Sequence, residues 1–235
     1  MSIDAAQIHE QMIQRVANAL GPELCTQVTF VGGCTTALLL SDEVARNTLR
    51  FTDDVDVALH VDSRAAWYRL ERQLFDKGFK QSHEDDVLCR LRLHDGGEPL
   101  KVDFMPDDPS ILGFTNRWYG EAIRLSAQHT LPNGISIRLV TPPYFVATKL
   151  EAFLGRGNGD VLGSQDIEDI LAMLDGRPSL AEEVSAASRD VKRYIAEQLA
   201  ALMQRRHFKD QIDGYHTRSR WIHQQLRALI ASGTD

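Results

Sequence analysis

The strongest constraint on how this chain folds is the order of three short segments. Gln27-Val28-Thr29-Phe30-Val31 is β-branched and aromatic and ends at Gly32-Gly33, the pattern of a strand running into a tight turn. Val55 to Val61 alternates and reads as a second strand. Asp54 and Asp56 stand two apart at its start, so both carboxylates point to one face. Leu100 to Met105 reads as a further strand that carries Asp103 between Val102 and Phe104.

Two carboxylates aimed at one place repel each other unless something positive lies between them. Mg²⁺ suits that role, with Mn²⁺ as its substitute, because hard cations are held by a few carboxylates and phosphate oxygens. Asp103 would be costly alone in an apolar strand. If that strand pairs beside the first, Asp103 becomes a third ligand, and two metal ions could bridge the three carboxylates. Gly32 and Gly33 would let a polyphosphate approach the backbone, and the amides opening the Cys34 helix favour an anion. Thr52 offers a hydroxyl near the same phosphates. Taken singly, each feature has a plainer explanation as a turn, a solvated strand face or an ion-paired edge. Their succession in this order carries the functional reading.

The remaining chain divides at about residue 141. Residues 5–20 have helical spacing closed by Gly21-Pro22, Cys34 to Leu40 reads as a short helix, and Ala65 to Lys77 as a longer one stopping at Gly78. Val87 to Leu93 is a strand joined to Leu100–Met105 through Asp95-Gly96-Gly97, and Ile135 to Val140 is another after Pro132-Asn133-Gly134. From Pro142 the pattern is helical over 143–154, 165–174, 179–186, 189–204 and 218–231. The fold class expected is α+β: a mixed or antiparallel sheet flanked by helices over 1–141, then a helical bundle over 142–235.

Composition excludes several classes. With 43% hydrophobic and 25% charged residues the chain is ordinary for a soluble globular protein. Its longest apolar run, near Ala37–Leu40, is far below the ~20 residues of a membrane span. Met1-Ser2-Ile3-Asp4-Ala5 has no basic and apolar leader pattern. Cys25, Cys34 and Cys89 show no CxxC spacing, which points to packed thiols in a reduced, cytoplasmic protein. The net charge of -7 is uneven: residues 1–110 hold 11 Lys/Arg against 19 Asp/Glu, whereas 189–227 hold nine against four. Within the basic stretch, Lys192, Arg193, Arg205, Arg206, Lys209, Arg218, Arg220 and Trp221 form the candidate RNA-facing patch. His83-Glu84-Asp85-Asp86 reads as a solvated turn, and Trp67, Trp118 and Trp221 more as packing residues than as base-stacking platforms.

The glycine pair, the Asp-x-Asp strand and the third carboxylate resemble the nucleotidyltransferase superfamily related to DNA polymerase β. Arg50-Phe51-Thr52-Asp53-Asp54-Val55-Asp56 is similar to the R-x-S/T-x-D-[IV]-D signature of AbiEii/AbiGii abortive-infection toxin-type nucleotidyltransferases. Thr148-Lys149-Leu150-Glu151-Ala152-Phe153 and Asp166-Ile167-Glu168-Asp169-Ile170 resemble that family's later helices, so the likeness spans roughly 28–175.

The resemblance implies an enzyme that moves a nucleoside monophosphate from an NTP to an acceptor hydroxyl and releases pyrophosphate. It further implies a toxin of a toxin–antitoxin pair acting on the 3′ end of tRNA or another RNA, with a cognate antitoxin as partner and neither membrane nor DNA expected. By motif, Asp54, Asp56 and Asp103 would hold Mg²⁺, and Asp103 would activate the attacking hydroxyl. Gly32, Gly33 and Thr52 would cradle phosphates; Lys149 would neutralise the triphosphate, and Asp166, or Asp169 one turn on, would orient Lys149 or the nucleotide. Thr52 replaces a common Ser, and Gln165 stands where a basic residue is frequent. Gly155-Arg156-Gly157-Asn158-Gly159-Asp160 lacks the Lys-Ser/Thr of a P-loop and reads as an inter-helix loop. The alternatives are a same-fold transferase that modifies a small molecule or protein, and a non-catalytic nucleotide-sensing module.

Overall fold

The computed structural model describes residues 4–156 and 159–233; Met1–Ile3 of the leader reading and Gly157 and Asn158 of the inter-helix loop lie outside the described residues. Two compact units emerge, one of residues 1–37 and 51–141, the other of 38–50 and 142–235. The division expected at Pro142 therefore needs one correction: 38–50 pack in the helical unit.

In chain order the elements are α1 (Ala5–Cys25), β1 (Val28–Val31), α2 (Thr36–Leu39), α3 (Glu43–Arg46), β2 (Asp54–Leu59), α4 (Arg64–Asp76), β3 (Phe79–Lys80), β4 (Arg90–Leu93) and β5 (Leu100–Pro106). There follow α5 (Pro109–Leu112), α6 (Tyr119–Arg124), β6 (Ala127–Thr130), β7 (Ser136–Leu139), α7 (Pro142–Arg156), α8 (Gln165–Gly176), α9 (Leu180–Ser185), α10 (Arg189–Leu202), α11 (Arg206–Asp213) and α12 (Ser219–Ser232). A single 3₁₀ turn, Gly33–Thr35, precedes α2.

The first unit is built on a seven-stranded sheet of order β3-β4-β5-β2-β1-β7-β6. β2 runs parallel to β5 and antiparallel to β1, and β4 runs antiparallel to β5. Alternation sorts the central strands into two faces. Val55, Val57, Leu91, Leu93, Leu100, Val102 and Phe104 are buried on one, where Phe79 meets Phe104 edge-on at 5.3 Å. The other carries charge, described below. Asp4 caps α1 by accepting from the Gln7 amide at 2.7 Å, and the Pro22 predicted to end the helix instead follows a kink at Gly21 (φ 72°).

In the second unit α7 packs on α8, α9 and α10, and is buried from Pro142 to Leu150. Asp42 caps α3, accepting from the Ala45 amide at 2.9 Å. The amides of Ser41 and Asp42 each donate to the Gly176 carbonyl at 3.1 Å. A Cβ at Gly176 would fall 2.6 Å from that of Ala45, so only glycine lets α3 lie this close to the end of α8. Among the described residues no helix is long and apolar enough to cross a membrane.

Candidate functional site

Strand register assembles the site. Asp56 lies beside Asp103 and Asp54 beside Lys101 across the parallel β2–β5 pair, while Arg90 and Arg92 of β4 lie opposite Asp103 and Lys101. Since residues two apart share a face, all six charges stand on one side of the sheet. One carboxylate oxygen from each of Asp54, Asp56 and Asp103 lies within 4.8 Å of the others. Carboxylates gathered this closely could hold a metal ion between them.

Gly32 makes room for this cluster. Its backbone is left-handed (φ 75°, ψ -177°), and a Cβ there would fall 1.8 Å from Asp56 Oδ2 and 2.6 Å from Asp56 Cβ. The close approach anticipated at the glycine pair is thus made by the Asp56 side chain. Gly33 opens the 3₁₀ turn, which the Thr35 amide and hydroxyl tie to the Gly32 carbonyl at 3.2 and 2.7 Å.

Thr52 is buried, and its hydroxyl donates to Asp54 Oδ1 at 2.6 Å. That hydroxyl holds a triad carboxylate, where the sequence pointed it at phosphate. The Thr52 amide donates to Nε2 of buried His9 at 3.2 Å, and the His9 carbonyl accepts from the Cys34 thiol at 3.4 Å. One residue of α1 therefore braces both the segment leading into β2 and the turn after β1. Burial, then the nearby Asp103 and Asp56, push the Cys89 thiol up to about 12, so it is no nucleophile at neutral pH.

Arg90 is the residue the sequence reading missed. Its Nε donates to Asp103 Oδ1 at 2.7 Å and its Nη2 to Asp103 Oδ2 at 2.8 Å, with Asp54 Oδ2 3.1 Å from the same Nη2. The hydrogen bond to Asp103 raises the guanidinium's pKa against the opposing effect of burial. Nearby, Lys101 pairs with Asp53 at 2.7 Å and holds its carboxyl below the usual range. Asp85 and Glu84 pair with Arg92 at 2.8 and 2.9 Å, so the turn expected to be merely solvated is tied to the sheet.

Lys149 and Asp166 are brought together in the second unit. Lys149 Nζ lies 2.6 Å from Asp169 Oδ2 and 3.3 Å from Asp166 Oδ1. Arg50 forks onto Asp169 at 2.8 and 3.0 Å, and Arg156 onto Asp166 at 3.2 and 3.0 Å. Burial disfavours an ionised Asp169, but Lys149 and Arg50 outweigh it and hold the carboxyl below its usual value. Three cations on two carboxylates leave this cluster a net positive charge. From the proposed basic patch Arg218 is removed: it pairs with buried Asp175 and, at 3.2 Å, with Asp42. Arg193, Arg206, Lys209 and Arg220 stay exposed, and Trp67 and Trp118 are buried as expected.

No protein-family model matches the chain, and neither does any curated protein. An antigenic nucleotidyltransferase-like protein from Paracoccidioides brasiliensis has a similar structure, with a TM-score of 0.55 at 19% identity over 94% of this chain and 95% of that one. JHP933 from Helicobacter pylori aligns at a TM-score of 0.46 and 13% identity, over 100% of this chain and 92% of that one. The first likeness, with the seven-stranded mixed sheet flanked by helices, gives the chain a nucleotidyltransferase-like α+β fold.

Proposed function

We propose that the protein is a metal-dependent nucleotidyltransferase, and the observation that carries this reading is the three-carboxylate cluster formed by Asp54, Asp56 and Asp103. The donor set fits a hard divalent ion: three carboxylates of one face, with a guanidinium already drawn to two of them. Bound there, Mg²⁺ would supply Lewis-acid charge to the phosphate oxygens of an NTP. Asp54, Asp56 and Asp103 would hold it, with the Thr52 hydroxyl bracing Asp54 and Gly32 leaving room for Asp56. The acceptor hydroxyl oxygen forms a bond to the α-phosphorus, the bond to the β-phosphate oxygen breaks, and pyrophosphate leaves. Asp103, whose two oxygens accept from Arg90 in this structure, takes the hydroxyl proton on a carboxylate oxygen. Lys149 is assigned to phosphate on the strength of the sequence resemblance; within its own unit it is held, with Arg50 and Arg156, by Asp166 and Asp169.

The acceptor we assign is RNA, with tRNA 3′ ends foremost, and the biological role that of a toxin with a cognate antitoxin. The signature around Arg50–Asp56 and the exposed basic residues Arg193, Arg206, Lys209 and Arg220 support this. Incubation with α-labelled NTPs, Mg²⁺ and total RNA should label RNA. Label confined to protein or to small molecules would overturn the RNA assignment and leave the transferase. A second reading, a nucleotide-sensing module, is favoured by Arg90 sitting on Asp103 and Asp54. Nucleotide binding without turnover in the same assay would select it.

A further inference from the structure

Arg90 bears on how the carboxylate cluster takes up a cation. The antiparallel register sets it directly opposite Asp103, so the pairing is fixed by the backbone and not by the chance reach of a long side chain. Its planar fork matches both oxygens of Asp103, and the second nitrogen extends to Asp54. The pair is shielded, with side-chain exposures of 17% for Arg90 and 11% for Asp103, so water screens it weakly. Asp56, Asp103 and Asp54 together would otherwise be three like charges within 4.8 Å. Arg90 bonds both oxygens of Asp103, so a divalent ion ligated by that carboxylate meets the guanidinium there, and the two cations repel each other.

We propose that Arg90 is the built-in counter-cation of the site: it holds Asp103 and Asp54 while no metal is bound, and a divalent ion must displace it to bind. This rests on the metal-site reading of the three carboxylates. Arg90 is accordingly a positioning residue that sets metal affinity. The metal-free cluster is preassembled, and metal alone binds it weakly.

The test is Mn²⁺ binding without nucleotide, followed by electron paramagnetic resonance, in the full chain and in Arg90→Gln, Arg90→Lys and Asp54→Asn. Losing charge-assisted hydrogen bonds that compete with the ion should tighten Mn²⁺ binding in Arg90→Gln by about tenfold or more. The variant should melt lower than the parent without metal, and the gap should close at saturating Mn²⁺, because the ion replaces the missing charge. Arg90→Lys keeps the charge without the fork and should fall between the two; it decides the matter if Arg90→Gln does not fold. Unchanged or weaker Mn²⁺ binding in the Arg90 variants, with parent binding abolished by Asp54→Asn, overturns the role of Arg90 and leaves the metal site standing. Absence of any Mn²⁺ binding sensitive to Asp54→Asn overturns both.

Discussion

Replacing Gly32 by Ala tests the geometry of the site at its tightest point. The added Cβ would lie 1.8, 2.5 and 2.6 Å from Oδ2, Cγ and Cβ of Asp56. No rotamer of Asp56 relieves the last of these contacts, so β1 and β2 must part where Val31 pairs with Asp56. The φ of 75° with an extended ψ is also a conformation that non-glycine residues adopt at a cost of about 1–3 kcal/mol. With overpacking of similar size, the destabilisation should be about 2–6 kcal/mol, or roughly 4–24 °C in Tm for a chain this long. Gly113→Ala supplies the control, because its φ of 88° is left-handed but nothing lies within 4 Å of the new Cβ. It should lose only the strain, about 1–2 kcal/mol. Thermal and urea unfolding followed by circular dichroism, with Mn²⁺ titration of each variant, reads both effects. Gly32→Ala should lose more stability than Gly113→Ala and should also lose metal affinity. Equal losses, with metal affinity intact in Gly32→Ala, would refute the close approach of Asp56 to the turn.

Gly176→Ala should cost about 1–3 kcal/mol by overpacking against Ala45 and Leu40, measurable by urea unfolding. Asp169→Ala strands Lys149 and Arg50 without their shared carboxylate and should cost about 3–5 kcal/mol, whereas Asp169→Asn should cost less. Arg15 holds the Asp95 carboxyl down at about 2, so that pair stabilises the fold above the ordinary carboxylate range and ceases to do so as pH falls towards 2. Asp95→Asn should therefore flatten the stability profile between about pH 4 and 2, by at most about 1 kcal/mol because water screens the pair. Thr52→Val, which deletes the hydroxyl that donates to Asp54, should weaken Mn²⁺ binding while leaving the fold intact by circular dichroism.

The carboxylate cluster was legible in the sequence because strand parity alone puts Asp54 and Asp56 on one face and makes Asp103 conspicuous among apolar neighbours. Arg90 was not legible. The sequence shows Val87–Leu93 as a strand, but which arginine faces Asp103 depends on the register of β4 against β5. His9 was hidden for a similar reason, as its partner Thr52 lies far along the chain. The strand β6, with the pattern Ala127–Thr130 exposed at a sheet edge, has no apolar alternation to reveal it. Residues 38–50 carry only a four-residue helix, and what holds them is distant: the Gly176 carbonyl, Arg177 bonded to the Leu39 carbonyl, Arg218 on Asp42 and Asp169 on Arg50. Arg218 misled for the converse reason, since a basic residue in a basic stretch is read as surface until its buried carboxylate partner is seen.

Nucleotidyl transfer directed by the three-carboxylate face is tested by following NTPs labelled separately at the α- and γ-phosphates, with RNA and Mg²⁺, in the parent chain and in Asp54→Asn and Asp56→Asn. The α label should pass to the acceptor while the γ label leaves as pyrophosphate, and both carboxamide variants should lose transfer while keeping the parent's circular dichroism. Appearance of the γ label on the acceptor, or transfer undiminished in the variants, would contradict the assignment.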